Sequence, residues 1–483
     1  MREVELKLDL TEAAAEALQA SDLLPDAPDI RELLAVYFDT PEQDLARAGI
    51  SLRIRSAGED RIQTVKADGA GSAGLFARSE WEVPVDGNDP ILDDSTPVKA
   101  LLGKRTQHIA PQFEVRVERR GWLLKEGKAE IEVVLDRGEV GAGEGAAPIC
   151  ELELELKAGS PAALFALARK IDALAPVRLG VLTKAERGYR LSEPQRPAFK
   201  AEPVLLRVGA TAAEAFQHIA HACIRQFRLN ETALAVSRSP EALHQARVAL
   251  RRLRSAFSIF KPLFAEDARA AALREELRWL AGTLGAARDL DVLLARAPVG
   301  ALSERIEEAR EAAYGQVEEA LGSPRARAAM LELAEWLADG SWLLAADTRD
   351  RRGEPVREFA MTTLRRFRKA VKRQGRNLKK LDDEARHDLR KSAKKLRYAS
   401  EFFSALFEGR PRRYRRFIAA LEDLQDRLGA LNDLAAAPEV MHSTGLSDDP
   451  EADALLAGGK RKALIGAAAD AHETLVDRKR FWR

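Results

Sequence analysis

Residues 1–10 read MREVELKLDL, and residues 150–157 read CELELELK. In both segments charged and apolar residues alternate, which is the period of a β-strand with two unlike faces. Helical patterns near residues 11–20 and 161–175 interrupt the strand pattern. Six further runs before about residue 191 alternate in the same way: LAVYFDT, ISLRIRS, RIQTVKA, SEWEVPV, FEVRVERR and AEIEVVLDRG. The region therefore predicts an α+β domain whose eight short strands form an antiparallel barrel.

The charged faces of these strands distinguish the predicted barrel from an ordinary one. A solvent-exposed face would explain a single strand such as that of Glu3, Glu5 and Lys7. The alternation recurs on strand after strand, however, and the intervening positions, such as Leu6 and Leu152, are apolar. The further charged or polar positions are Arg53, Arg55, Thr64, Lys66, Glu80, Glu82, Glu130, Glu132, Asp136, Glu151, Glu153, Glu155 and Lys157. This pattern predicts a charged lumen that binds an ion-rich ligand, and an apolar outside that helices or a second domain cover.

The two signs of charge in the lumen indicate what it binds. Clustered carboxylates repel one another, and a hard divalent cation relieves that repulsion through oxygen ligands. We expect Mg²⁺ or Mn²⁺, because no His or Cys lies in these strands at positions that suggest zinc. The Arg and Lys residues require an anion whose charge extends over some length. A chain of phosphates meets both requirements, and a triphosphate fits best.

The ordered motifs of this region resemble the CYTH superfamily of triphosphate tunnel metalloenzymes. After Glu3, Glu5 and Lys7 come YFDT, LRIR, TVKA, FEVRVERRGW, LDRGEV, CELELELKAG and TKAERGY. The resemblance implies an eight-stranded antiparallel β-tunnel with metal on acidic residues and phosphates on basic ones. The implied metal ligands are Glu3, Glu5 and Glu132 with members of the ladder Glu151, Glu153 and Glu155; which two of the three bind metal stays open. The implied catalytic, phosphate-binding residues are Lys7, Arg53, Arg55, Lys66, Arg119, Lys184 and Arg187.

The activity implied by this resemblance is phosphoryl transfer from inorganic triphosphate to water, with Mg²⁺ or Mn²⁺. The sequence has no GxxxxGK[ST] loop for a nucleotide, which favours inorganic triphosphate over ATP. An organic triphosphate, such as thiamine triphosphate or ATP, is an alternative substrate for the same tunnel. A polyphosphate-binding scaffold without turnover is the alternative from a different class of protein.

The second half of the chain has a different composition and pattern. Residues 1–200 carry 27 Lys and Arg against 35 Asp and Glu, whereas residues 201–483 carry 50 against 41. After the proline-containing stretch SEPQRPAFKAEPV, apolar residues recur at intervals of three and four residues. This spacing predicts an all-α bundle. HQARVALRRLRSAFSIF from residue 244 matches HDLRKSAKKLRYASEFF from residue 387. We expect a tunnel domain at 1–195, a linker at 196–208, and a helical domain at 209–483 with related halves at about 211–350 and 351–483.

Each half of this helical domain carries the same basic stripe. The two stripes are His244, Arg247, Arg251 and Arg254, and His387, Arg390, Lys394 and Arg397. A solvated charged face would explain one stripe, but identical spacing in two repeats favours an anion groove. The stripes and the LG-x-x-x-D elements resemble the CHAD domain, which implies that these residues bind inorganic polyphosphate. Nucleic acid is disfavoured, because no interleaved aromatic residues are evident for base stacking.

Cellular location and assembly are less constrained by the sequence. No run of about 18 uncharged apolar residues is present to span a bilayer, and the first residues lack the apolar segment of a secretory signal. Only Cys150 and Cys223 occur, which fits a reducing compartment. We therefore expect a cytoplasmic protein without membrane association, and a homo-oligomer is compatible with the sequence.

Overall fold

The computed structural model of the protein describes residues 2–25, 27–67, 74–194, 196–443 and 461–482. The chain divides into two compact units. The first contains residues 1–197 and 323–340, and the second contains residues 198–322 and 341–483. Within the described ranges, no helix combines the length and the apolar character that crossing a bilayer requires.

The first unit is built on one closed antiparallel sheet. Its long strands are β1 (Arg2–Asp9), β2 (Asp29–Asp39), β3 (Ile50–Ala57), β4 (Asp60–Ala67), β5 (Leu75–Pro84), β6 (Ala110–Glu126), β7 (Ala129–Ala142) and β8 (Gly145–Ala158), and β9 (Arg178–Leu179) is a two-residue strand. The strand order is β5-β4-β3-β2-β6-β7-β8-β1-β9, and β5 also pairs with β1. This pairing closes the sheet into the predicted antiparallel tunnel of eight long strands. The short ninth strand was not predicted.

The apolar outer face of the sheet is covered by helices. Leu6, Leu8 and Leu154 are fully buried, because α4 (Ala162–Leu174) packs against β1, β6 and β8 and against α1 (Glu12–Gln19). On another side, α2 (Asp44–Arg47) and α3 (Pro97–Leu102) cover β3. The apolar residues clustered there are Phe38, Leu45, Leu52, Ile54, Val65, Val98 and Leu102. The reversed polarity read from the sequence is therefore possible, because its apolar side is not exposed to water.

One end of the lumen is apolar and is filled by helix α5 (Lys184–Leu191). The inward residues of β2, β6, β7 and β8 at this end pack with Ala185, and the cluster comprises Leu33, Ala35, Tyr37, Phe113, Val115, Val117, Val140 and Ile149. Gly188 permits the close approach of α5, because a Cβ there would lie 2.2 Å from the Phe113 ring. The sequence pattern did not predict this helix, although Thr183 and Glu186 form the capping box that starts it.

Helix α10 (Pro324–Asp339) belongs to the first unit, although it lies inside the range 209–483 assigned above to the helical domain. It packs on α4 and β9. Arg327 Nε donates to Asp172 Oδ1 at 2.6 Å, and both side chains are about nine-tenths buried. An amphipathic pattern shows which face of a helix is apolar, but not which neighbour covers that face.

The second unit is helical in its described residues. Its helices are α6 (Ala212–Val236), α7 (Pro240–Ile259), α8 (Ala268–Leu294), α9 (Ala301–Gly322), α11 (Arg349–Gly353), α12 (Val356–Gln374), α13 (Asp383–Phe402), α14 (Pro411–Ser443) and α15 (Arg461–Asp477). Phe216 lies at the centre of an aromatic cluster, with ring centroids 5.5 Å from Phe257 and 5.6 Å from Trp342. The repeat read from the sequence places α7 in correspondence with α13, and α8 with α14.

Candidate functional site

The tunnel of the first unit encloses a cavity of about 390 Å³ with charged walls. Its lining includes cations and carboxylates from the sheet together with the start of α5. Charged residues of the lining include Glu5, Lys7, Arg53, Arg55, Lys66, Arg78, Arg119, Glu153, Glu155 and Lys184. The full lining has nine Lys and Arg side chains and eight carboxylates, so the cavity suits an anion that binds together with a cation.

Three carboxylates form a tight cluster at the buried side of the cavity. Oxygens of Asp136, Glu151 and Glu153 all lie within 4.8 Å of one another. Lys184 Nζ holds them together at 2.7, 2.5 and 2.9 Å respectively. Burial alone would raise the pKa of Asp136, but Lys184 and then Arg119 lower it below its ordinary value. Asp136 therefore stays ionised, and the oxygens of the cluster could bind a divalent cation.

Lys184 and Arg119 supply the positive charge of this cluster. Burial would lower the pKa of Lys184, but Asp136, Glu151 and Glu153 hold it well above its ordinary value. Arg119 makes a two-pronged contact with Asp136, at 2.8 Å from Nε and 2.6 Å from Nη2. Both cations are therefore fixed in place before any ligand arrives, which lowers the ordering cost of binding.

Strand β1 contributes an acidic and a basic side chain, Glu5 and Lys7, next to this cluster. Lys7 pairs with Glu153, and Glu5 pairs with Arg78. Glu5, Lys7 and Arg78 are all buried. Glu3 belongs to β1, but its side chain lies outside the described residues, so its predicted role as a metal ligand stays a prediction.

The opposite wall carries Arg53, Arg55 and Lys66, and Arg55 lies 3.6 Å from Glu82. Burial lowers the pKa of Arg55, and the neighbouring Arg53 and Arg119 lower it further. Arg53 Nε is buried without a hydrogen-bond partner in the described part of the chain, while its Nη1 donates to Tyr37 Oη at 3.3 Å. Lys66 Nζ lies 3.1 Å from Glu80. Phosphate oxygens can accept a hydrogen bond from such an unpaired N–H donor, and their charge offsets that of the crowded guanidinium groups.

Two predicted groups lie at the margins of this constellation. Glu132 and Glu155 both pair with Lys157, each at 2.8 Å, and all three are partly exposed. Arg187 Nη2 donates to Asp9 Oδ1 at 2.7 Å and is not among the cavity-lining residues. Within the described residues, the carboxylates that cluster most closely are thus Asp136, Glu151 and Glu153, rather than Glu5, Glu132 and Glu155.

A second cavity, of about 260 Å³, lies within the helical unit. We call it the groove. It is lined by His244, Arg247 and Arg251 from α7, Arg288 and Asp289 from α8, Arg296 just after α8, Arg390 and Lys394 from α13, and Asn432 and Asp433 from α14. Five of the eight predicted stripe residues thus line one cavity, together with two arginines that the stripe pattern did not include.

The LG-x-x-x-D elements hold the stripe arginines in place. A Cβ on Gly285 would lie 3.7 Å from the guanidinium of Arg247, and a Cβ on Gly429 would lie 3.8 Å from that of Arg390. One turn after Gly285, Asp289 accepts from Arg247 at 2.9 Å. Because each glycine has no side chain, the arginine of the neighbouring helix can lie against the backbone there. Nε of Arg390 is buried and lacks a hydrogen-bond partner among the described residues.

The groove carries more positive charge than its own acids offset. Burial lowers the pKa of Lys394 to about 7, with further lowering by Arg390, Arg251 and Arg247. Burial, Arg288, Arg251 and Arg247 likewise lower the pKa of His244 to about 4. An anion in the groove would relieve this repulsion and restore the charge on Lys394.

Comparison with known proteins matches both units to families. A family model described as CYTH domain matches residues 1–189, and one described as CHAD domain matches residues 218–442. The chain carries a CYTH domain followed by a CHAD domain. The crystal structure of the CHAD domain from the plant Ricinus communis is 29% identical with a TM-score of 0.50, and the match covers 59% of this chain and 97% of that one.

Two curated relatives match parts of the chain. The inorganic triphosphatase of Haemophilus influenzae is 31% identical over 166 residues, which are 33% of this chain and 46% of that protein. An uncharacterized protein of Mycobacterium tuberculosis is 30% identical over 320 residues, which are 60% of this chain and 58% of that protein. The chain thus spans about half the length of these curated relatives.

Sequence reasoning omitted some residues of the CYTH tunnel. Arg78 and Tyr37 line the cavity, and neither was among the predicted residues. The signal for Arg78 was present, because it continues the two-residue period of Glu80 and Glu82 towards the start of β5. Asp136 was predicted only as one of the charged positions of the strands, and not as a metal ligand.

In the CHAD domain, three predicted stripe residues lie outside the lining of the groove. His387 Nδ1 lies 2.6 Å from Oδ1 of the lining residue Asn432. Arg397 pairs with Glu401 at 2.7 Å, and Arg254 lies near Arg274 and Arg278 instead. A helix drifts by about 20° over seven residues, so a stripe ten residues long cannot face one cavity along its whole length.

Proposed function

We propose that the CYTH domain is a divalent-metal-dependent inorganic triphosphatase, which releases phosphate and pyrophosphate from triphosphate. The observation that carries the proposal is a single cavity with a cationic wall, around Arg53, Arg55 and Lys66, next to the cluster of Asp136, Glu151 and Glu153. The similarity to the inorganic triphosphatase of Haemophilus influenzae supports this choice of substrate.

In the proposed mechanism the residues of the chain bind and orient the substrate. Arg53, Arg55 and Lys66 contact the phosphate oxygens, while Arg119 and Lys7 neutralise the charge that develops on the leaving pyrophosphate. The carboxylates that would hold the metal are Asp136, Glu151 and Glu153, with Glu5 nearby. Mg²⁺ or Mn²⁺, when bound, would neutralise phosphate charge and orient water. The water-poor end of the tunnel, filled by α5, limits access from that side.

The test compares two variants of strand β7. Asp136→Asn removes one charge from the cluster and keeps the side-chain size, whereas Glu139→Gln changes an exposed carboxylate on the same strand. Phosphate release from inorganic triphosphate, ATP and thiamine triphosphate is measured with Mg²⁺, with Mn²⁺ and with EDTA. We expect rapid turnover of inorganic triphosphate only with metal, a loss of about 100-fold or more in Asp136→Asn, and little change in Glu139→Gln.

The same assay separates the alternatives. Preferential turnover of ATP or thiamine triphosphate would assign an organic substrate to the tunnel. Binding of triphosphate without turnover of any substrate would favour the scaffold. Full activity of Asp136→Asn would overturn the assignment of the metal cluster.

For the CHAD domain we propose that the groove binds inorganic polyphosphate in the cytoplasm. Arg247 and Arg390 carry this proposal. Each lies against a glycine of the neighbouring helix, and both line one shared cavity. Changing both to Glu should abolish polyphosphate binding and leave triphosphate turnover intact. Unaltered binding by the double variant would refute the groove.

A further inference from the structure

Helix α12 carries a strongly positive surface of the second unit. Residues 356–380 contain ten Lys and Arg residues and one acidic residue, Glu358, although the whole chain has a net charge of only +1. One side of α12 is buried through Phe359, Leu364 and Val371. The opposite side presents Arg365, Arg366, Lys369, Lys372 and Arg373, all of them exposed. We call these five residues the α12 face.

The α12 face has no counter-charge of its own. In the described part of the chain, none of its five side chains is within ion-pair distance of a carboxylate. Several other exposed cations of the unit are neutralised locally: Arg278 pairs with Glu275, Lys391 with Asp388 and Arg427 with Asp423. A face that serves only solubility would carry interspersed acids, as those helices do. Unpaired like charges at this density favour an external polyanion.

The α12 face is linked to the groove through helix α13. Lys394 lines the groove, and the next residue, Lys395, projects about 100° away around the same helix. Burial lowers the pKa of Lys395, and Lys391, Arg274 and Arg366 lower it further, so Lys395 lies within electrostatic reach of the α12 face. Positive charge therefore continues from the groove across α13 to α12.

The side chains of the α12 face favour inorganic polyphosphate over a membrane surface or a single-stranded nucleic acid. The exposed large hydrophobic side chains of the described residues all lie outside 356–380. A membrane surface would be expected to meet apolar side chains beside the cations, and a single-stranded nucleic acid would be expected to meet exposed aromatic rings. Inorganic polyphosphate needs neither, because it offers charge alone. The five cations of the face span about 12 Å along the helix, enough for several phosphates.

We propose that the α12 face is a second contact for linear polyphosphate, so that long chains are held at the groove and on α12, and short chains at the groove alone. This inference rests on the proposed groove. Tethering at the first contact raises the effective concentration of phosphate at the second. The protein would therefore discriminate between polyphosphates by their length.

The experiment uses the full-length chain and two variants of equal charge. In the first variant, Arg365, Arg366, Lys369, Lys372 and Arg373 are changed to Gln. In the control, five exposed cations of the first unit, Lys99, Lys104, Arg116, Lys125 and Lys128, are changed to Gln. Binding of linear polyphosphate with roughly 5 and roughly 100 phosphates is measured at several salt concentrations. Circular dichroism verifies the helical content of each variant.

We expect the α12 variant to bind the long chain about 10-fold or more weakly with a reduced salt dependence, and to bind the short chain as the wild type does. The control should keep at least most of its affinity for both. Unchanged long-chain affinity in the α12 variant, or an equal loss in the control, would overturn the inference while leaving the groove intact. A loss of binding to single-stranded RNA or to anionic vesicles, with polyphosphate unaffected, would assign the face to that partner instead. Failure of the groove itself is recognised separately, because Arg247→Glu with Arg390→Glu would then retain short-chain binding.

Discussion

Replacing Lys394 with Arg is expected to remove most of the pH dependence of polyphosphate binding. In the free protein the pKa of Lys394 is lowered to about 7, first by burial and then by Arg390, Arg251 and Arg247. A phosphate bound in the groove favours the charged form and raises this pKa towards or beyond 10.5. Binding above pH 7 must therefore take up a proton, so affinity falls as the pH rises. Arg stays charged throughout, and Arg already occupies the corresponding position 251 of the first repeat.

The size of the effect follows from proton linkage. One proton taken up on binding weakens affinity by up to about tenfold for each pH unit above 7, or about 1.4 kcal/mol. His244 has a pKa of about 4 in the free protein, so it adds to this slope only where bound phosphate raises its pKa into the tested range. The charged or titratable groups around Lys394 in the groove are His244, Arg247, Arg251, Arg288, Asp289, Arg296, Arg390 and Asp433.

Isothermal titration calorimetry at pH 6.5, 7.5 and 8.5, at constant ionic strength and in two buffers of different ionisation enthalpy, measures both the affinity and the protons taken up. The wild type should take up close to one proton at pH 8.5 and bind more than tenfold more weakly than at pH 6.5. Lys394→Arg should bind equally at the three values, and Lys394→Met should bind weakly and without pH dependence. Equal wild-type affinity at all three values, or an unchanged slope in Lys394→Arg, would refute the reasoning.

Three further changes test the positioning of the site residues. Gly285→Leu places a side chain where the Arg247 guanidinium lies, so polyphosphate binding should weaken about 10-fold while triphosphate turnover is unchanged; Gly282→Leu, on the same helix with open space around it, is the control. Tyr37→Phe removes the acceptor of Arg53, and the KM for triphosphate should rise about 2- to 10-fold with a smaller change in kcat; an unaltered KM would contradict this. Arg327→Ala removes the ion-pair partner of the buried Asp172, and calorimetry should show the first unit destabilised by about 3 kcal/mol, whereas Lys128→Ala should have no effect.

The alternation of charge and apolar residues was enough to predict the tunnel and its reversed polarity. A strand exposes residues two apart on one face whatever its neighbours are, so Glu5 and Lys7 are placed together by local geometry alone. The closure of the sheet could not be read in this way, because the pairing of Glu5 with Phe76 joins strands more than 70 residues apart. The residues of the tunnel were predicted better than their contacts.

The carboxylate cluster shows what the sequence did not predict, namely which of the acidic side chains come together. The ladder of Glu151, Glu153 and Glu155 was visible in the sequence, but its division was not: Glu151 and Glu153 lie with Asp136 around Lys184, while Glu155 pairs with Lys157. That division depends on where α5 enters the lumen, and α5 is positioned by apolar packing against Phe113 and Tyr37. The carboxylates that come together are thus selected by the packing of a helix, which the strand pattern does not show.

The sequence by itself determined the two-domain order, the alternating faces of the strands and the spacing of the basic stripes, since each of these depends on the period of a single strand or helix. Only the tertiary structure decided which charges meet. It selected Asp136 for the carboxylate cluster, added Arg288 and Arg296 to the groove, and turned Arg254 away from it. The physical reason is that such contacts depend on how elements distant in sequence pack together, and packing is determined by the shape and burial of all the surrounding side chains.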